Sequence, residues 1–227
     1  MTATPTATDL FDAIDGDDAQ RLDKILAESP ALATARDDED VSAMLHALYH
    51  GRAPLAERIA NAVPELDIFE AAALGRADRV RDLLAADPSL ATASSPDGFT
   101  ALHLPAFFGG PGTADAAKAL LDAGADVSAR STNSFWVLPL HSAASGGHAE
   151  IVELLLAAGA EPSPRQRHGW TPLHAAAQNG DARSLEALLA AGADPELRND
   201  DGLSARDLAR AAGHDDLMAR LGGSGSA

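Results

Sequence analysis

The sequence predicts an all-α solenoid of about seven stacked helix-turn-helix modules with projecting turns. Three observations carry this expectation. The phrase "TPLHAAAQNGD" from Thr171 returns, altered, as "TALHLPAFFGG" from Thr100, "LPLHSAASGGH" from Leu138 and "SARDLARAAGH" from Ser204. His141 and His174 lie 33 residues apart, and a further 33 reaches Asp207 in the last of these phrases. Between the phrases, apolar residues such as Leu185, Leu188 and Leu189 fall at helical spacing for one buried face. A fixed period of this length marks stacked units, each too small to bury its own apolar face.

The elements of one module follow in order. Thr171 is a good N-cap, and Pro172 stands at the first helical position, where its missing N–H costs nothing. "LHAAAQN" makes a short helix that Gly180 ends, because glycine takes the left-handed cap cheaply. Ala175, Ala176 and Ala177 are small enough to let neighbouring modules approach. "DARSLEALLAA" supplies the second helix, Gly192 ends it, and "ADPELRNDDG" holds the turn residues that lead to the next module.

The modules tile the chain at about 8–39, 40–64, 65–96, 97–132, 133–166, 167–199 and 200–221. A disordered N-terminus is expected over 1–7 and a flexible Gly/Ser tail over 222–227. His103 precedes His141 by 38 residues, the surplus lying in "GGPGTAD" and in the loop that holds "STNSFWV". Leu10–Ala35 matches Ile68–Ala93 without a gap, and the short module between them, "SAMLHALYHGRAPLAERIANAVPE", lacks the long turn.

"DGFTALH", "GWTPLHAAAQNGD", "HAEIVELLLAAGAEP" and "SLEALLAAGADPELRNDDG" resemble ankyrin repeats, closely in modules four to six. Modules one and three carry "RLDKILAESP" and "RVRDLLAADP" in place of a glycine-ended second helix. The resemblance implies a non-catalytic scaffold that binds a protein partner through its concave face and turn tips. It also implies that His103, His141 and His174 tie each turn to the neighbouring module. Translation along a stack keeps equivalent side chains apart, so these three do not converge as a catalytic or metal site.

Composition narrows the function further. The formal charge of −17 argues against nucleic acid, whose phosphates are bound by clustered Lys and Arg. No apolar run is long enough for a membrane helix, no secretory leader is seen, and a cytoplasmic monomer is expected. With zero cysteines there are no disulfides and no thiolate ligands. The Ala-, Asp- and Arg-rich, Lys-poor composition points to a high-GC bacterial source. No Gly-x-Ser-x-Gly elbow occurs, and Ser142 beside His141 points elsewhere on a helix, so neither a catalytic residue nor a cofactor is expected.

The expected contact residues lie in two sets. The positions just before each first-helix glycine give Tyr49, Phe107, Phe108, Gln178 and Asn179. The turns of modules four to six add Phe135, Trp136, Arg165, Arg167, His168 and Trp170, an aromatic and locally basic patch. Aromatic and Arg anchors suit a binding centre. Arg130, Arg165 and Arg198 occupy equivalent positions and can grip carboxylates, or pair with neighbours such as Asp126 or Asp194. Two alternatives stay open. In "HALYH", His46 and His50 are four residues apart and can share a divalent metal with Asp40, Glu57 or a residue of the next module. That reading makes the chain a metal-binding protein or an enzyme. The other makes it an acidic inhibitor or immunity factor for a basic target.

Overall fold

A computed structural model describes residues 4–222; residues 1–3 of the expected disordered N-terminus and 223–227 of the expected tail lie outside it. Among the described residues there are 14 α-helices and no strands. They run α1 (Ala7–Asp15), α2 (Ala19–Glu28), α3 (Ala43–Tyr49), α4 (Ala53–Ala62), α5 (Ile68–Ala73), α6 (Ala77–Ala86) and α7 (His103–Phe108). They continue as α8 (Thr113–Asp122), α9 (Pro139–Gly146), α10 (Ala149–Ala157), α11 (Pro172–Asn179), α12 (Ala182–Ala190), α13 (Ala205–Ala212) and α14 (Asp215–Leu221).

Each odd-numbered helix packs against the even-numbered helix that follows it, and also against the next odd-numbered one. The even-numbered helices form a second row behind the first. The local chemistry of α11 matches its sequence. Thr171 caps it, with Oγ1 accepting from the His174 N–H at 3.4 Å while His174 Nδ1 accepts from the Thr171 N–H at 3.1 Å. Gly180 ends it at φ 71°, ψ 18°. Where "AESP" and "AADP" replace the terminal glycine, the chain passes into 3₁₀ turns at Pro30–Thr34 and Pro88–Thr92.

The turns share one closure. The amide of Asp37, Ser95, Ser131, Gln166 or Asn199 donates to the carbonyl of Val41, Phe99, Val137, Trp170 or Leu203, at 2.8 to 3.0 Å. The connection from α4 to α5, in the short module, has no such closure. One expectation needs correcting at the N-terminus. Thr6 and Ala7 are ordered, because Thr6 accepts from the Asp9 N–H at 3.3 Å and Asp9 accepts from the Thr6 N–H at 3.0 Å. This reciprocal capping box starts α1 at Ala7.

The core is a line of small and branched side chains, with Leu102, Leu120, Leu140, Leu155, Leu185 and Leu188 fully or almost fully buried. Burying one such leucine contributes about 1.5–3 kcal/mol. The line falls into two clusters, one running from Leu10 to Ala60 with Ala73 and Leu104, the other from Ile68 to Leu221. Leu66 and Phe69 lie on the fringe of both. In the second row α4 and α6 barely touch. A cleft of about 730 Å³ opens there, lined by Val63–Leu66 and Gly75–Arg79 among others. Its cations are already paired, Arg76 to Glu57, Arg79 to Glu65 and Arg81 to Asp78, so this cleft offers little free charge.

Candidate partner-binding face

The repeated histidines come first because they set the turns. His103, His141 and His174 are buried. Their Nε2–H groups donate at 3.1 Å to the carbonyls of Val137, Pro164 and Leu203, each in the following turn. Nδ1 accepts from the N–H of Thr100, Leu138 or Thr171, so each ring is held as the neutral Nε2–H tautomer. Burial drives the pKa values of His103 and His141 down to about 4 and lowers that of His174. These rings are fasteners between turns.

The arginine row does similar work and corrects one expectation. Arg165 donates to the carbonyl of Arg198 at 3.0 Å, and its guanidinium lies 3.8 Å from Asp200. Arg198 donates to the Gly202 carbonyl at 2.7 Å and pairs with Asp207 at 3.1 Å. Arg130 sits 4.1 Å from the ring centre of Trp136 and reaches the carbonyls of Trp136 and Arg165. Asp126 and Asp194 are not the partners, because their carboxylates accept from the amides of Ser128 and Glu196 in their own turns. The sequence shows side chains and hides the carbonyls that a folded turn presents.

The other expected contact residues divide. Asn179 is committed to the stack, since its side-chain amide donates to the carbonyls of Ala144 and Ser145 at 3.2 and 2.9 Å. Trp170 is half-buried, with its ring centre 5.9 Å from that of His174. Gln178, Arg167 and His168 are exposed. Phe135 and Trp136 diverge: Trp136 pairs with Arg130, while Phe135 stacks on Phe99 at 6.4 Å.

The structure gathers the remaining aromatics around one groove. Tyr49 from α3 lies 5.1 Å from Phe108 and 6.4 Å from both Phe107 and Phe99, centre to centre. Tyr49, Phe99, Phe107 and Phe135 line a cavity of about 430 Å³ with Val137, Ser142, Ser145 and Gln166, and His141 is beneath. Phe107 is 48% exposed and Phe135 64%, so neither is packed as core. Phe108 is half-buried against the N-terminal cluster. Phe99 was absent from the expected set, although it fills the turn position that Trp170 fills in "HGWTPLH".

The groove has an acidic end. The Tyr49 hydroxyl donates to Asp97 at 2.6 Å, and burial with this carboxylate raises its pKa above the ordinary phenol value. A second cavity of about 670 Å³ continues from Tyr49, Phe99 and Phe135 to Asp37, Asp38, Glu39, Asp97, His46 and His50. His46 bridges two carboxylates, Asp15 at Nε2 and Asp37 at Nδ1, both at 2.9 Å. Burial would lower its pKa, but these two bonds outweigh it and raise the value. Asp40 and Glu57, considered as metal ligands with His46 and His50, are held elsewhere beside Arg36 and Arg76.

Comparison with known proteins bears on the repeat architecture. Residues 112–199 match a family model described as ankyrin repeats, in three copies. Residues 112–199 are ankyrin repeats. It is also 42% identical over 108 residues to a protein of Oryza sativa subsp. japonica named "Probable E3 ubiquitin-protein ligase XBOS31". That alignment takes in 45% of this chain and 23% of the rice protein, so the chain spans under a quarter of that relative's length. Ankyrin repeats are generally protein–protein interaction modules. Among the described residues, no helix is long and apolar enough to cross a membrane.

Proposed function

We propose that this ankyrin stack is a non-catalytic scaffold that captures a protein partner in the groove of Tyr49, Phe99, Phe107 and Phe135. The observation that carries the proposal is the exposure of Phe107 and Phe135 at the rim of a preformed apolar cavity. Soluble chains seldom leave large aromatics grouped in the open without a use. Aromatic anchors at a cavity are the usual source of binding energy. The acidic continuation past Asp37, Asp38, Glu39 and Asp97 favours a partner segment that sets Lys or Arg beside an apolar side chain. The turn tips, with Trp136, Arg130, Arg165, Arg167 and His168, flank this site as a second contact zone. Catalysis is no part of this reading. The ligase activity in the rice protein's name belongs to a chain of which this one covers 23%.

A random peptide library displayed against the full chain tests the proposal. The expected winners pair an aromatic or aliphatic residue with Lys or Arg, and bind more weakly as salt rises. Phe107→Ala with Phe135→Ala should keep the helical signal and weaken those peptides by about 30-fold or more, as for loss of a hot spot. Equal binding to wild type and the double variant would remove the groove from the account.

A further inference from the structure

We propose that Asp15, His46 and His50 form a divalent transition-metal site, with zinc as the reference ion, that clamps the first helix pair to the second. His46 and His50 are one turn apart on and just beyond α3, and their rings stack at 4.2 Å with 22° between planes. Asp15 comes from the end of α1. One donor atom from each of the three residues lies within 4.8 Å of the other two. Zinc bonds of about 2.0–2.2 Å require these atoms to close in by roughly 1 Å, a movement within reach of side-chain torsions.

The hydrogen bonds around the rings orient them for this use. His50 Nδ1 lies 2.9 Å from the His46 carbonyl, which can only accept, so Nδ1 carries the proton and Nε2 keeps its lone pair. His46 Nδ1 donates to Asp37 at 2.9 Å, the carboxylate–histidine arrangement that fixes a metal-binding imidazole from behind. Its Nε2 faces Asp15 at 2.9 Å, where a proton now holds the place between nitrogen and carboxylate. Metal binding exchanges that proton, released to solvent, for the cation. Two imidazoles and one carboxylate leave a fourth position for water, open to the acidic cavity of Asp38, Glu39 and Asp97, which concentrates cations. Nitrogen donors select zinc, cobalt, nickel or copper over magnesium and calcium.

The test uses the full chain, zinc titration calorimetry, the visible d–d bands of cobalt, and the melting temperature, with magnesium as the control for loose binding to surface carboxylates. One equivalent of zinc should bind, cobalt should give nitrogen-ligand bands of tetrahedral type, and melting should rise with zinc but not with magnesium. His50→Phe keeps the exposed stack and removes a donor; it should lower zinc affinity at least tenfold and abolish the cobalt spectrum. Asp37→Asn should weaken zinc by about 10- to 100-fold through the orienting bond alone. A wild-type chain that gives no cobalt bands, or a zinc affinity unchanged in His50→Phe, overturns the site. Peptide capture at the aromatic groove is a separate readout, so failure of one leaves the other standing.

Discussion

Replacing Gly180 by alanine measures two costs that the structure keeps separable. Gly180 ends α11 at φ 71°, a left-handed conformation in which an L side chain costs about 1–2 kcal/mol. An added Cβ would also lie 2.6 Å from Cε1 and 2.7 Å from Nδ1 of His214, so that ring has to leave its seat. Overpacking of this kind costs about 1–3 kcal/mol. Gly192, one helix later, has φ 93° with nothing within 4 Å of its would-be Cβ. Gly192→Ala therefore carries the backbone cost alone, about 1–2 kcal/mol, and Gly180→Ala about 2–5 kcal/mol. In a chain of this size each kcal/mol moves the melting temperature by about 2–4 °C. Circular dichroism melts and urea titrations of both variants give the comparison. In a His214→Ala background the excess loss at Gly180 should vanish. Equal losses at both glycines with His214 in place would refute the steric half of the reasoning, and no loss at either would refute the backbone half.

Acid should weaken the fold through the buried histidines. Unfolded, His103 and His141 take up protons near 6.5; folded, they resist until about 4. The unfolded state therefore binds more protons between those values, and stability should fall by on the order of several kcal/mol from pH 7 to pH 4. Urea unfolding at stepped pH checks this, with a smaller slope expected in His141→Gln; a flat profile would count against it. Arg165→Ala should cost about 1 kcal/mol through loss of its 3.0 Å bond to the Arg198 carbonyl. Amide exchange should then quicken in the turn at 198–203, and unchanged protection there would deny the arginine ladder its role.

The fold was readable because it rests on local chemistry repeated at a fixed period. Thr171, Pro172 and Gly180 announce the ends of a helix by their own backbone preferences, and the structure places each in that role. Module two could be read as lacking its turn for the same reason. What stacking assembles was harder to read. Asp15 meets His46 across 31 residues, a distance that only the packing of α1 on α3 closes. Asn179 serves carbonyls of the preceding module, which no side-chain pattern advertises. Phe99 was within reach, since it precedes Thr100 as Trp170 precedes Thr171, but the expected surface was built from helix ends and tips. The Thr6–Asp9 capping box was likewise spelled out in "TATD", yet its Thr6 was assigned to disorder.

The break between the two core clusters gives the stack a joint. In a solenoid, stability is handed from neighbour to neighbour, so a thin interface divides the chain into blocks that can melt on their own schedule. The first four helices, with Ala73 and Leu104 added from α5 and α7, form the smaller block. Tyr49 and Phe99 pack against its core, whereas Phe107 and Phe135, which complete the groove, lie on α7 and in the turn before α9. Anything held in that groove is therefore gripped by both blocks at once and resists their parting. Occupancy would then be felt as mechanical stiffness, and a protease probing residues 63–67 would find the loaded chain slower to cut than the empty one.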